Sequence, residues 1–230
     1  MTHYRTIGVI GGMGPAATAD FLGRLVAGVN AASDTDHPRV LVDSNPHVPD
    51  RNAAALHGTD SPGPALAAMG TGLVAQGAQV LAMPCNAAHG WADAITAAPF
   101  VSMIDAAVAE AMAHHPRCIG VLGVGATLAL DLYGRASPVP VLAGDLAVVQ
   151  PAVNAIKAGD RSHDVRAALA GEAARLAAAG ADVVGLSGVY DRVQDVLRAA
   201  QIKHVVVPPQ LLDLYRALHL TQQAKVQAQL

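Results

Sequence analysis

The chain has 230 residues, of which 52% are apolar, 14% charged and 3% aromatic, and its formal net charge is −3. This is the composition of a well-buried globular protein. With no basic cluster and no apolar run of the roughly 20 residues that span a membrane, neither a nucleic acid nor a membrane is expected as a partner. The two cysteines, Cys85 and Cys118, follow an N-terminal apolar run that turns into glycines, unlike a signal peptide, so a cytoplasmic protein with reduced thiols is expected.

In chain order, residues 7–12 read as a buried strand running into glycine, with a helix from Ala16 behind Pro15. A strand at 39–43 follows. An alanine-rich helix at 63–76 leads into a buried strand at 77–84, and a further strand is expected at 100–104. The plan then repeats. Residues 119–124 resemble 7–12, and residues 180–187, behind an alanine-rich helix at 164–179, resemble 77–84. The offsets are 112 and 103, so the halves share a plan but not loop lengths. A strand at 204–207 and a helix at 209–228 complete the reading. Continuous apolar strands alternating with helices predict an α/β fold of two similar lobes, each a mostly parallel sheet flanked by helices and related by a pseudo-two-fold. The expected division is 1–105 and 106–208, with helix 209–228 joining the first lobe and the site in the cleft between the lobes.

Ligands bind beyond the carboxyl ends of parallel strands, and the candidate residues fall in five segments read as such loops. Gly11-Gly12-Met13-Gly14-Pro15 is a tight strand-to-helix turn that also fits a loose dinucleotide fingerprint. The acidic residue such a fingerprint needs about 20 residues on is missing, Asp43 lying too far along, and no cofactor is expected. In residues 44–51, two prolines and an asparagine stiffen a turn that presents Arg51, whose planar fork suits a carboxylate. Cys85 ends a strand between Pro84 and Asn86, with His89 four residues on; a helix start, a cation or a donor there would activate the thiol. Cys118, at the start of a strand, reads as a small buried hydrophobe. No other Cys or His stands at ligand spacing, so no metal is expected. The last two segments offer Thr127, a donor to an anion, and Lys157, either a second carboxylate ligand or a charge at a helix C-terminus.

Four motifs taken together, IGVIGGMGPAATADF (7–21), SNPHVPDR (44–51), MPCNAAH (83–89) and AIKAG (155–159), resemble the aspartate/glutamate racemase family, closest to its aspartate racemase branch. The resemblance covers essentially the whole chain. It implies catalysis by two cysteines on opposite faces of a substrate α-carbon, without pyridoxal phosphate or metal, in a homodimer acting on an acidic amino acid or dicarboxylate. Cys85 matches the N-terminal cysteine. Arg51 and Lys157 match the residues that hold the distal carboxylate, Asn86 and Thr127 those on the α-carboxylate side, and Met13 lines the pocket.

The chain departs from the family where the second cysteine belongs: Gly188 stands there, in Ser187-Gly188-Val189-Tyr190. Superposing Gly77 on Gly180 also lays Cys85 on Gly188. Ala87 replaces the usual threonine, and Val207-Pro208-Pro209 the usual aspartate region. The expected function is therefore a racemase or epimerase using Cys85, with Tyr190 as a substitute acid. The alternatives are a one-thiol lyase or isomerase on a related dicarboxylate and a non-catalytic binding protein.

Overall fold

The computed structural model describes residues 4–29, 31–160 and 162–186. Two parallel sheets organise the described residues. The first has the strand order β2-β1-β3-β4, with β1 at Ile7–Gly11, β2 at Val40–Ser44, β3 at Val80–Ala82 and β4 at Phe100–Val101. The second has the order β6-β5-β7, with β5 at Ile119–Leu122, β6 at Val141–Ala143 and β7 at Val183–Leu186. Every pairing is parallel, and β1, β3 and β5 are buried along their whole length. Parallel strands covered on both faces must read as continuous apolar runs, which is why these were visible in the sequence.

Alternation along β1 sends Ile7 and Val9 to one face, where α1 (Pro15–Ala27) packs Phe21 and Leu25 against them. Ile10 points the other way, into a cluster with Leu66, Met69 and Leu73 of α3 (Gly63–Ala75). The second sheet is clothed in the same manner. Ile119 and Val121 meet Ile104, Val108 and Ala111 of α4 (Met103–Met112) and Leu132 and Tyr133 of α6 (Leu132–Ala136). On the far face Leu122 meets Val149 of α7 (Leu146–Lys157) and Leu176 of α8 (His163–Ala178). The chain passes between sheets at the start of α4: Met103 lies in the core of the first, Ile104 in that of the second.

The internal repeat holds at the level of single contacts. A Cβ added to Gly8 would meet Leu81 at 2.7 Å, Ala78 at 2.8 Å and Leu73 at 3.3 Å; one added to Gly120 would meet Val184 at 3.0 Å, Ala181 at 3.1 Å and Leu176 at 3.2 Å. The same three partners recur at the offset of the second repeat pair. Each half therefore needs glycine in its central strand so that the helix entering the third strand can close on the sheet. Gly77 and Gly180, which end those helices, adopt φ of 106° and 107°, a conformation that only glycine reaches without strain. The Ala78 and Ala181 N–H groups then donate back to the Leu73 and Leu176 carbonyls, both at 3.0 Å.

Two local expectations are corrected. The strand expected at 100–104 stops at Val101, because the Ser102 side chain accepts the Asp105 N–H and caps α4. Residues 154–157 do not form a loop after a strand: they are the last turn of α7, a helix disguised in sequence by Pro151 inside it. The strand expected at 204–207, the helix at 209–228 and the positions Gly188 and Tyr190 lie outside the described residues. Among the described residues no helix is long and apolar enough to cross a membrane.

Candidate functional site

Three short segments meet where the two halves of the chain face each other. They are α2 (Arg51–His57) after β2, the 3-10 segment Ala87–Ala94 after β3, and α5 (Gly125–Ala129) after β5; each packs against the other two. All follow the carboxyl ends of their strands, where parallel sheets present loop backbone and helix starts to a ligand.

The turn after β1 packs beside them. Gly12, at φ 88°, passes so close to the Asn45 backbone that no side chain fits there. The buried Thr18 hydroxyl accepts the Gly12 N–H at 2.8 Å and donates to the Gly14 carbonyl at 3.2 Å, fixing the turn from within. Met13 is thereby buried in the same apolar cluster as Cys85 and Val48. Arg51 opens α2 behind the Asp50 cap. Its Nη1 donates to the Val48 and Pro49 carbonyls at 3.1 and 3.2 Å, and its Nη2 to the Met13 carbonyl at 3.4 Å. A guanidinium has five N–H donors. Among the described residues two, one on Nε and one on Nη2, are left without a partner, the number that one carboxylate takes in a bidentate pair.

Cys85 is buried at 8% exposure, and its N–H turns back to the Met83 carbonyl at 2.8 Å. His89 was a candidate cation for this thiol. The structure corrects that expectation. Its Nε2 receives the Met103 N–H at 3.1 Å, so Nδ1 carries the proton and donates it to the Cys85 carbonyl at 2.8 Å. Burial pushes the ring down from 6.5 to about 4, outweighing the hydrogen bonds and the Asp105 charge that act the other way. His89 is thus a neutral brace that ties the Cys85 turn to the start of α4.

A neutral buried imidazole has a consequence for acid stability. The unfolded chain protonates His89 near 6.5 and the folded one only near 4, so its contribution is complete above 6.5 and is lost as pH falls to 4. The loss is about 3 kcal/mol by linkage. Urea unfolding at pH 7 and pH 4 should therefore differ by about that much less in His89→Asn than in the wild type; equal differences would remove the neutral-brace assignment.

The polar side of the site is incomplete in one respect. The Tyr133 hydroxyl, from the second half, donates to Asn86 Oδ1 at 2.7 Å, which turns the amide nitrogen the other way. Among the described residues the buried side-chain atoms without a hydrogen-bond partner are two, Asn86 Nδ2 and Thr127 Oγ1, on residues exposed by only 7% and 1%. Buried polar groups are nearly always satisfied. These two come from opposite halves, one beside Cys85 and one in α5, and both can donate to an anion.

Lys157 ends α7 in an exposed position, where its charge faces the negative end of the helix. Three residues at the site escaped the sequence reading. Tyr133 holds Asn86. Asn52 accepts the Ala126 N–H at 2.8 Å through Oδ1, and Gln150 accepts the Gly125 N–H at 3.1 Å through Oε1. Their partners lie 47, 74 and 25 residues away in the chain, so no local pattern announces them.

A family model described as Asp/Glu/hydantoin racemase matches residues 10–217. Among solved structures, the Picrophilus torridus aspartate racemase is similar at 22% identity and a TM-score of 0.77, over 87% of this chain and 96% of that one. An aspartate racemase homologue from Pyrococcus horikoshii OT3 is similar at 15% identity and a TM-score of 0.64, over 86% of this chain and 99% of that one. At these identities the structural likeness establishes the shared fold.

Proposed function

Because the chain belongs to the Asp/Glu/hydantoin racemase family, we propose that it moves the α-proton of an acidic amino acid without a cofactor, using the Cys85 thiol as acid and base. The observation that carries this reading is the pair of unsatisfied buried donors, Asn86 Nδ2 on the residue after Cys85 and Thr127 Oγ1 on α5, which packs against the segment that follows Cys85. In this reading the substrate's α-carboxylate accepts a hydrogen bond from each. Arg51, with two N–H groups to spare, would take the distal carboxylate, and Lys157 would belong to the same substrate end. The site would lie between two lobes, 1–105 and 106–208.

In the first step the thiolate Sγ takes the α-proton, and the C–H electron pair moves into the α-carboxylate to give an enediolate. Charge on the carboxylate oxygens rises in that step, so donors fixed in advance stabilise the transition state more than the bound substrate. Once the Cys85 thiol has traded that proton for one from solvent, reprotonation from the same face gives exchange with retention. Inversion needs an acid on the other face, where the sequence repeat puts Gly188. That glycine favours a second reading, in which one thiol suffices: a related dicarboxylate loses carbon dioxide and Cys85 protonates the enediolate left behind. Carbon dioxide release from a substituted malonate separates the two.

Thr127→Val tests the placement of the anion. Valine keeps the shape of the side chain and removes a hydroxyl that has no partner in the free protein, so stability should be unchanged or slightly raised. Loss of a hydrogen bond to a charged group should lower kcat/KM for α-proton exchange by roughly 10- to 100-fold, or 1.5–3 kcal/mol. Deuterium wash-in followed by proton NMR, together with a thermal melt, reads both quantities. Undiminished exchange in the variant would sink the assignment.

A further inference from the structure

The geometry points to Asn52 as the residue that sets the distance between the two carboxylate-binding points. The inference rests on reading Arg51 and Thr127 as those points. Asn52 is the second residue of α2, directly after Arg51, yet its side chain reaches to the other half of the molecule. Its Oδ1 accepts the Ala126 N–H at 2.8 Å and its Nδ2 donates to Gln150 Oε1 at 3.4 Å. The same Gln150 oxygen accepts the Gly125 N–H at 3.1 Å, and Gln150 Nε2 donates to Asn154 Oδ1 at 3.0 Å along α7.

These contacts close the start of α5. The first N–H groups of a helix have no partner within it, and Val124 at the cap position offers no side-chain acceptor. Asn52 and Gln150 supply the missing oxygens, one from α2 and one from α7. The next residue is Thr127. Arg51 and Thr127 are therefore joined through one peptide link, a single 2.8 Å hydrogen bond and a second peptide link.

A Cβ on Gly125 would lie 3.0 Å from Leu56 Cδ1 and 3.6 Å from Asn52 Oδ1, so the absence of a side chain at Gly125 lets α5 sit this near to α2. The Asn52 hydrogen bond keeps it from drifting away. A spacer held in this way selects a diacid by the separation of its carboxylates. Asn52 is thus a positioning residue that fixes chain-length preference, with Gln150 supporting it from behind.

Succinate and glutarate, which differ by one methylene between their carboxylates, are suitable probes for calorimetric titration of the full chain. The wild type should prefer one of them by about tenfold, equivalent to ~1.4 kcal/mol. Asn52→Ala should bring that ratio close to one. Asn52→Asp keeps an oxygen on the Ala126 N–H and should retain the preference while binding both probes more weakly, because it adds a negative charge. A variant that merely loosened the fold would weaken both probes without changing their ratio. The spacing role is overturned by a wild type that binds both probes equally, or by an Asn52→Ala protein that keeps the wild-type ratio. A wild type that binds neither probe overturns the reading of the site itself.

Discussion

Cys85→Ser is expected to slow α-proton exchange by about 10²- to 10⁴-fold, the span attributed to a positioned acid–base group, while leaving dicarboxylate binding within a few-fold of the wild type. Serine has nearly the volume of cysteine, and the buried cluster to which Cys85 belongs, with Met13, Val48, Met83 and Ala88 among its members, need not rearrange to admit it. The donors Asn86 Nδ2 and Thr127 Oγ1 and the tether of Arg51 come from other residues and persist. What is lost is acidity: a hydroxyl does not ionise near neutral pH, so no base is left on that face of the α-carbon. Deuterium wash-in by NMR and calorimetric titration with succinate separate chemistry from binding. If the serine protein turned over its substrate at the wild-type rate, Cys85 would be a packing residue. The retained pocket would then suit the non-catalytic binding protein considered from the sequence.

The features that could be read from the sequence are those with local causes. A parallel strand buried on both faces must be a short continuous apolar run, so β1, β3 and β5 stood out, and β7 was legible as the repeat of β3. A glycine that must adopt positive φ at the end of a helix marks itself, so Gly77 and Gly180 located the repeat. The segments beyond the carboxyl ends of strands were legible as well, and they hold Cys85 together with Arg51 and Thr127, which the structure places in α2 and α5. The rest depends on contacts between distant parts of the chain. Whether His89 would be a cation or a neutral brace turned on the Met103 N–H, fourteen residues away, and on burial that no motif encodes. In sequence the last turn of α7 reads as a loop, since Pro151 lacks the N–H of a helix interior, yet Val149 and Ala152, buried on one face, sustain the helix. Tyr133, Asn52 and Gln150 are ordinary polar residues in sequence, and only folding gives each its partner.

Gly188→Cys is expected to accelerate inversion at the α-carbon by at least about 10²-fold, the low end of what one acid–base group contributes. The argument comes from strand register. Gly8 pairs with Leu81 across β1 and β3, and Gly120 with Val184 across β5 and β7. The third strands of the two halves are thus equivalent at an offset of 103, and the close contacts at Gly8 and Gly120 repeat at the same offset. Carried four residues beyond Leu81, to Cys85, that offset arrives at Gly188. In the wild type, deuterium should therefore enter from the Cys85 face alone, with retention outpacing inversion unless another acid such as Tyr190 serves the second face. Chiral chromatography of the product formed in D2O measures both rates at once. Faster inversion in the cysteine variant, with exchange by retention unchanged, would identify the second thiol as the missing part. If instead the wild type already inverts as fast as it exchanges, a second acid is in place. Tyr190→Phe should then slow inversion selectively, and the one-thiol lyase reading loses the glycine on which it stands.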